Sequence, residues 1–375
     1  MMKKWLKKAL FRHPTRTPLI TVFLSQKALI HNLHFFQNKA GQSQVAPVLK
    51  SNAYGHGLVP IAEILDCEGL PFLIVDSFFE AHTLRHAGIK SPLLVIGYSR
   101  VEDMLSHHMK NVSFTITNLD TLRELSQSAH KNISIHLKID TGMHRQGIML
   151  SEKKEATEII KKNPHLKLEG ICSHLAEAGA LEKTFTEKQI VEWNTLVPYF
   201  KKEFSTLKYW HLANTDGHFH TGIEANVTRL GIGLFGIHGP AELKPVMRIE
   251  TIITSLRTIR AGETVGYDRT FVAQKDTAVA TIPFGYYEGF DRRLSNVGSL
   301  KIGTTYCPIV GRVSMNITSI DVSEVPHAKV GDVVTPVSDV RSDLNSFEGI
   351  AEACGTISYE MVVRISPLLK RVVRE

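Results

Sequence analysis

The stretch "VLKSNAYGHG", Val48–Gly57, is an apolar run that meets one lysine and then breaks into Ser, Asn and two glycines. A strand arriving from Val45 would carry Lys50 out of a packed interior at its end. A charge in that place is solvated, paired or used chemically. The stretch alone leaves a solvated lysine at a strand end as one interpretation and a chemically used lysine as the other.

Strand-like and helix-like segments alternate on both sides of this lysine. The amphipathic segments are 57–69, 77–88, 118–129, 151–162 and 182–202, and the apolar β-rich runs are 45–50, 72–75, 93–97, 113–117, 133–139, 168–174, 208–213 and 232–236. Eight strand–helix units predict an α/β fold, a parallel (β/α)8 TIM-type barrel. A doubly wound sheet is the alternative, because periodicity alone does not close a barrel.

The pattern changes after about residue 245. Runs such as "AVATIPFGYY" and "GDVVTPVS" are rich in β-formers and broken by Gly, Pro, Asn and Asp, and a helical period returns only at 345–355. We therefore predict a barrel over 19–245 and a mostly antiparallel β domain over 246–375. The early strand 19–25 can join either domain.

The net charge of +7 belongs to one end of the chain. Six of the 44 Lys and Arg lie in residues 1–17, which contain no acid, so 38 basic residues face 37 acidic ones elsewhere. This balance argues against a nucleic-acid face. The arm 1–18 is either a short basic amphipathic helix that touches anionic lipid or a solvated terminus.

Cysteine usage and hydropathy narrow the class further. The four cysteines are far apart and form no CxxC pair, so neither a zinc site nor a disulfide framework is predicted. We therefore predict no metal-binding residues. Reduced thiols are typical of a cytoplasmic protein. No run approaches the roughly 20 apolar residues of a membrane helix.

Polar residues recur where the predicted barrel strands end. Lys50 ends the first strand, Lys138 the fifth, His174 the sixth and Asn214 the seventh. The carboxyl ends of barrel strands share one mouth, so these side chains should converge there. Taken singly, each of these residues is more often a satisfied or solvated side chain, and only their convergence favours a site.

Three further patterns contain candidate site residues. "GIGLFG", Gly231–Gly236, matches GxGxxG, but Leu234 and Phe235 make it strand-like, which leaves backbone contact with a single phosphate rather than a dinucleotide site. In "HLKIDTGMHRQG", Arg145 either joins an exposed ion-pair cluster or grips a carboxylate. Two tyrosines of the β domain, Tyr267 and Tyr359, either pack or serve a site.

Together these motifs resemble alanine racemase, a pyridoxal-phosphate (PLP) enzyme with a barrel and a β domain. The resemblance covers about residues 19–373. Its nine motifs follow the order of the family: "VLKSNAYGHG", "HLKIDTGMHRQG", "SHLA", "HLANTDG", "TRLGIGLFG", "VGYDRTF", "GYYEG", "GRVSMN" and "TISYE".

The resemblance implies an isomerase that interconverts L- and D-alanine and supplies D-alanine for cell-wall peptidoglycan. Lys50 would carry PLP and act as one base, and Tyr267 of the partner subunit in a homodimer would be the other. Arg145 and the backbone of Met315 would receive the substrate carboxylate, and Lys138 is a position that is often carbamylated. The implied cofactor-binding set comprises Lys50, Tyr54, His174, Asn214, Thr215, Arg229, Tyr359 and the backbone of Gly231 and Ile232.

In this resemblance Arg229 faces the pyridine nitrogen and His174 lies beside it. Inversion at a carbon needs a base on each face, and tyrosine's ordinary pKa near ~10 must fall for that task. We expect a cationic network of His174 and Arg229 to lower it.

Several positions depart from the family pattern. Asn316 stands where Asp is usual and Ser314 where Cys is common, and His144 and Asp268 replace glycines. These changes leave open a racemase of serine or another amino acid on the same fold. A PLP-binding regulatory protein without catalysis is a further alternative.

Overall fold

The computed structural model describes residues 17–375, and the basic arm lies outside them except for its last two residues. Eight parallel strands form the first part of the fold. They are Gln44–Pro47, Leu73–Val75, Leu93–Val95, Val112–Ile116, Ile133–Asp140, Leu166–Cys172, Tyr209–His211 and Val227–Leu230. Their residues are largely buried along the whole strand, as is typical of parallel strands covered by helices.

Hydrogen bonds close these strands into a ring. The strand 44–47 pairs in parallel with 227–230 on one side, and the Leu49 N–H donates to the Ile74 carbonyl, 2.7 Å away, on the other. Between the seventh and eighth strands, the Arg229 N–H donates to the Ala213 carbonyl at 3.1 Å. The remaining neighbours form one continuous parallel sheet. The predicted barrel is therefore confirmed, and the doubly wound alternative is wrong.

Helices cover the outside of the ring. They are Gln26–Lys39, Leu58–Leu65, Phe78–His86, Val101–Ser106, Leu119–Ser128, Lys153–Lys162 and Thr184–Glu203. Three of them begin at side-chain caps: the oxygens of Ser25, Ser77 and Asn118 each accept a backbone N–H from the first turn. Such caps satisfy donors that have no intrahelical partner.

One strand was predicted in the wrong place. Residues 232–236 are not the eighth strand, because Ile232–Phe235 form a 3-10 helix and the strand is the preceding Val227–Leu230. Gly231 has φ −98° and ψ −106°, and Gly236 has φ +70°. These glycine conformations turn the chain at both ends of the apolar run, whose side chains are buried by packing rather than by strand pairing.

The second part of the molecule is a set of mostly antiparallel sheets. A six-stranded sheet has the order Thr305–Pro308, Ser299–Ile302, Val333–Val337, Met247–Ile252, Thr21–Ser25 and Lys370–Arg374. The early strand Thr21–Ser25 thus joins this sheet, antiparallel to 247–252 and parallel to 370–374. Ser255–Ile259, Thr277–Ile282 and Thr318–Asp321 form a three-stranded sheet, and Thr264–Val265 pairs with Phe271–Val272.

Two short helices, Phe347–Cys354 and Ser358–Val363, follow the sheets and bring the β domain against the barrel mouth. An added Cβ on Gly55 would come within 2.2 Å of the Val362 carbonyl oxygen, so the second helix lies directly on the chain after Lys50. One hydrophobic cluster runs from the barrel into the six-stranded sheet. The two parts therefore share a core at the place where the polar residues gather.

Candidate active site

A cavity of about 630 Å³ opens at the carboxyl ends of the barrel strands. It gathers most of the residues predicted from sequence, whereas Tyr267 and Met315 do not line it. The predicted residues on its wall are Lys50, Tyr54, Lys138, Arg145, His174, Asn214, Thr215, Arg229, Gly231, Ile232 and Tyr359. The convergence expected from the strand ends is therefore found in one chain.

Lys50 does not end the first strand as expected. The strand stops at Pro47, and Lys50 begins a short turn in which Ser51, Asn52 and Ala53 have left-handed φ and ψ, followed by Tyr54 with φ +50°. Left-handed helical residues other than glycine cost roughly 1–2 kcal/mol each. The turn places the Lys50 and Tyr54 side chains on the wall of the same cavity.

Hydroxyl groups and glycines form one end of the cavity. The ring of Tyr54 lies 6.3 Å from that of Tyr359, and a Cβ on Gly231 would meet the Tyr54 hydroxyl at 2.7 Å. The Thr215 methyl lies equally close to a Cβ on Gly233. Burial raises the pKa of Tyr359 to about 12 and that of Tyr54 further, so both hydroxyls keep their protons and can donate to an anion.

Arg229 is buried and fully engaged through its two terminal nitrogens. Nη1 donates to the carbonyl and to Nδ1 of His211, at 2.7 and 2.8 Å. Nη2 donates to the carbonyls of Ser173 and Leu212, both at 2.8 Å, and to Nδ1 of His174 at 3.1 Å. None of these contacts uses Nε, which remains as a donor on a guanidinium that borders the cavity.

The expectation of a cationic His174 is not supported by its surroundings. Burial, followed by the charge of Arg229, lowers the pKa of His174 to about 3, so the imidazole is neutral. Its Nδ1 accepts from an arginine that is always protonated, which leaves the hydrogen on Nε2. The positive charge of this pair therefore resides on Arg229.

Two buried histidines that sequence reasoning did not single out extend this network. His211 Nε2 lies 2.9 Å from His136 Nδ1 in the barrel interior, and burial lowers the pKa of both imidazoles, that of His136 to about 3. Because His211 Nδ1 accepts from Arg229, Nε2 of His211 must carry the hydrogen. His211 and His136 therefore support Arg229 as a chain of neutral imidazoles.

Lys138 and Arg145 also line the cavity. Burial lowers the pKa of Lys138, which increases its share of neutral amine. Arg145 is exposed at the rim, after a turn in which the Asp140 carboxylate accepts the N–H groups of Gly142 and His144 at 2.8 and 3.1 Å. Asp76 is the acidic residue among the lining side chains of this cavity, so the walls are strongly cationic.

Tyr267 and Met315 lie on neighbouring loops of the β domain, with 70% and 55% of their surfaces exposed. The Asp268 carboxylate accepts from Arg312 Nε at 2.7 Å and so joins the two loops. A third loop carries Tyr286 and Tyr287, whose N–H groups donate to the carbonyls of Ser314 and Met315 at 3.1 and 2.9 Å. We call the exposed apolar side chains of these three loops the tyrosine patch. It comprises Tyr267, Tyr286, Tyr287, Met315 and Ile317.

Local geometry bears on three of the four departures from the family pattern, and nothing in the structure explains Ser314. His144 and Asp268 have φ of +53° and +59°, a region that glycine adopts at least cost. The Asn316 amide donates to Glu288 Oε1 at 2.8 Å, while Oε2 of the same buried carboxylate accepts the Gly285 N–H. An aspartate at 316 would place two carboxylates in contact, so Asn316 suits the glutamate of "GYYEG".

Residues 17–375 contain no helix that is long and apolar enough to cross a bilayer. The same residues contain no group of three or more His, Cys, Asp or Glu arranged to hold a metal ion.

Family models and solved structures give the context of this site. The model described as alanine racemase, N-terminal domain, matches residues 24–239, and the model of the C-terminal domain matches 246–373. An alanine racemase of Syntrophobacter fumaroxidans is 34% identical over 90% of this chain and 93% of its own length. An alanine racemase of Sorangium cellulosum is also 34% identical, over 92% of this chain and 97% of its own length.

Two solved structures are similar over the whole chain. Alanine racemase from Clostridium difficile superposes with a TM-score of 0.88 at 26% identity, covering 96% of this chain and 97% of that one. The Bacillus anthracis enzyme with bound L-Ala-P gives 0.87 at 27% identity, covering 96% of each chain. With both halves of its length matched and its polar residues gathered at the barrel mouth, the chain belongs to the alanine racemase family of isomerases.

Proposed function

We propose that the protein is a PLP-dependent enzyme that interconverts L- and D-alanine, with Lys50 and the partner subunit's Tyr267 as its two bases. The observation that carries this proposal is the division of the predicted residues. Eleven of them line one cavity of a single chain, while Tyr267 and Met315 stand exposed on a separate surface.

The cavity suits PLP at both ends. Hydroxyls of Tyr54, Thr215 and Tyr359 lie near the glycine-flanked start of the 3-10 helix, where the first N–H groups have no intrahelical acceptor. This end fits a phosphate, since a side chain at Gly231 would fill the space beside the Tyr54 hydroxyl. Lys50 would hold the aldehyde carbon, and Arg229, with Nε unused by its protein contacts, would face the ring nitrogen.

The residues of this chain would then divide the proton transfers. Bound PLP supplies an acceptor for the negative charge left when the α-carbon loses its proton. The Lys50 amine would take or return the proton on one face, and the partner's Tyr267 hydroxyl would do so on the other. Arg229, and not the neutral His174, carries the positive charge of this pair at the cavity.

Arg145 is the candidate for the substrate carboxylate, because it lines the cavity from an ordered turn and can bind bidentately. The backbone of Met315 from the partner would complete that contact. Lys138, with its lowered pKa, can react as a neutral amine, so carbamylation is chemically accessible to it. The resulting anion would neutralise part of the cationic wall and brace Arg145.

A homodimer is proposed on the basis of the tyrosine patch. Its five members expose large apolar surfaces on adjoining loops, and such patches mark protein–protein contacts. The symmetry of a dimer would send each Tyr267 toward the mouth of the other chain. The cytoplasmic supply of D-alanine to peptidoglycan is the role that we propose for the product.

Two inactive variants test the shared site. Tyr267→Phe should lose most racemase activity yet keep the visible absorbance of bound PLP, and Lys50→Ala should lose the covalent link to PLP. In a dimer that contains one chain of each variant, one site combines the native Lys50 of the first chain with the native Tyr267 of the second, and the other site lacks both residues. Random exchange should therefore restore about a quarter of the native activity. Full activity in Tyr267→Phe, or no recovery on mixing, would refute the two-base, two-subunit arrangement.

A racemase with another preferred substrate is the second candidate, because Asn316 and Glu288 alter the loops beside Met315. Isotope exchange at the α-carbon across a panel of amino acids separates the two. Alanine should show the highest kcat/KM. An equal or higher value for serine or for a basic amino acid would assign the enzyme to that substrate.

A further inference from the structure

The turn that follows Lys50 is conformationally costly and needs restraint from outside. Ser51, Asn52, Ala53 and Tyr54 have φ of +57°, +56°, +52° and +50° in succession. In left-handed helices the Cβ of each L-residue crowds the following carbonyl oxygen. Such a conformation persists only where surrounding contacts over-determine it.

His56 supplies one of those contacts from inside the fold. Its imidazole is completely buried, and Nδ1 lies 3.1 Å from the Ala53 carbonyl oxygen and 3.0 Å from that of Tyr54. Carbonyl oxygens only accept, so Nδ1 carries the hydrogen and donates to the end of the turn. Among the described residues the buried Nε2 has no hydrogen-bond partner, which suits an unprotonated nitrogen.

The same ring also contacts the segment that follows Gly231 and Ile232, two residues of the cavity lining. It stacks on Phe235, with ring centroids 4.1 Å apart and planes 20° from parallel. Phe235 ends the 3-10 helix that begins at Ile232, and its ring lies 5.5 Å from that of Tyr54. One imidazole thus touches both the turn that carries Lys50 and the segment assigned to the phosphate.

Arg371 holds the next two residues from the β domain. Its Nε donates to the His56 carbonyl at 3.1 Å and its Nη2 to the Gly55 carbonyl at 2.6 Å. Arg371 lies in the last strand of the six-stranded sheet. The turn is therefore held on one side by the His56 side chain and on the other by the second domain.

We propose that His56 is a positioning residue whose Nδ1–H closes the left-handed turn and so keeps Lys50 and Tyr54 aimed into one cavity. This inference rests on the proposed roles of Lys50 and Tyr54. Burial, which is the largest effect on it, lowers the pKa of His56 to about 3, in keeping with a permanently neutral donor rather than a proton carrier.

Two substitutions separate positioning from packing. His56→Phe keeps an aromatic ring against Phe235 but removes the donor, whereas His56→Asn loses the ring and keeps an N–H near the place of Nδ1. We expect His56→Phe to bind PLP at least about tenfold more weakly in titrations of the apoprotein. His56→Asn should recover most of that affinity. The control is His107→Phe, which should bind PLP as the native protein does. His107 is half-buried beside a second cavity, and Phe114 packs on its ring.

Hydrogen exchange of the apoproteins supplies a readout that does not involve PLP. The N–H groups of Gly55 and Gly57 donate to Ser51 and Asn52 within the turn, at 3.1 and 2.9 Å. Peptides covering residues 50–58 should exchange at least about tenfold faster in His56→Phe than in His56→Asn. Equal exchange and equal PLP affinity in the two variants would overturn the proposal, because packing alone would then account for the histidine.

A last measurement works on the native protein if a variant fails to fold. The ¹⁵N spectrum of the imidazole of His56 should show the Nδ1–H tautomer, and an Nε2–H tautomer would overturn the proposal. Borohydride reduction and peptide mapping of the native protein test the proposed function separately. Failure to find PLP on Lys50 refutes the cofactor assignment, while the exchange and tautomer results still decide whether His56 closes the turn.

Discussion

Acidification from pH 7 to pH 5 should destabilise this protein through its buried histidines. Burial lowers the pKa of both His56 and His136 to about 3, whereas a histidine in the unfolded chain titrates near ~6.5. A group whose pKa falls on folding contributes stability that is complete above the unfolded value. That contribution is lost as the pH falls from about 6.5 toward 3.

The magnitude follows from the proton taken up on unfolding. Near pH 5 each of these histidines binds about one more proton in the unfolded chain, which gives a slope of about 1.4 kcal/mol per pH unit for each. Between pH 7 and pH 5 the two together remove about 4 kcal/mol from the free energy of unfolding. His174 and His211 act in the same direction, while His238 opposes them, because the hydrogen bond that its Nε2 donates to Asp216 Oδ1 raises its pKa.

The slope of the free energy of unfolding against pH can be measured by urea unfolding of the holoenzyme. Tryptophan fluorescence follows the unfolding at several pH values and a fixed protein concentration. His56→Asn should lower it by about 1.4 kcal/mol per pH unit, since it removes one titrating group. His130→Asn, at an exposed histidine, should leave it unchanged. A free energy of unfolding that stays constant from pH 7 to pH 5, or an equal slope in native and His56→Asn proteins, would refute the reasoning.

Three substitutions probe other contacts. Gly231→Ala puts a methyl group 2.7 Å from the Tyr54 hydroxyl and should weaken PLP binding about tenfold or more in an absorbance titration; an unchanged affinity would argue against the phosphate assignment of this end. Asn316→Asp places a second carboxylate beside Glu288 and should lower the free energy of unfolding by about 1–2 kcal/mol at pH 7. The loss should be smaller at pH 5, and equal losses at the two pH values would contradict charge repulsion. Arg229→Lys replaces four N–H groups, which make five contacts, with at most three N–H groups. It should cost about 2–6 kcal/mol in urea unfolding, so a loss below 1 kcal/mol would argue against this network.

Much of the architecture was predictable because it depends on local patterns. Buried strands and capped helices leave periodic signals, and seven of the eight predicted strands overlap the observed ones. The exception, 232–236, is apolar for a different reason: its side chains pack under the cavity, and Gly231 and Gly236 bend the chain away from a strand. Composition cannot separate these two kinds of burial.

The supporting network of the site could not be predicted in the same way. His136 and His211 meet because the strand registers pair His136 with Gly170 and place His211 one strand further on. A Cβ on Gly170 would come within 2.4 Å of His136 Nδ1, so the contact depends on the missing side chain of a third residue. The left-handed turn after Lys50 is equally hidden, since its Ser, Ala and Tyr carry no preference for positive φ.

The chemistry of the acceptors around Arg229 explains how a buried cation can serve this site. Its partners are three backbone carbonyls and two neutral imidazoles, none of which carries a compensating charge. A carboxylate would hold the guanidinium as firmly but would cancel its field. Neutral acceptors fix the geometry and leave the charge to act on the cavity, which Arg145 also lines. The wall therefore favours ligands that bring anionic groups, as a phosphate and an amino-acid carboxylate both do.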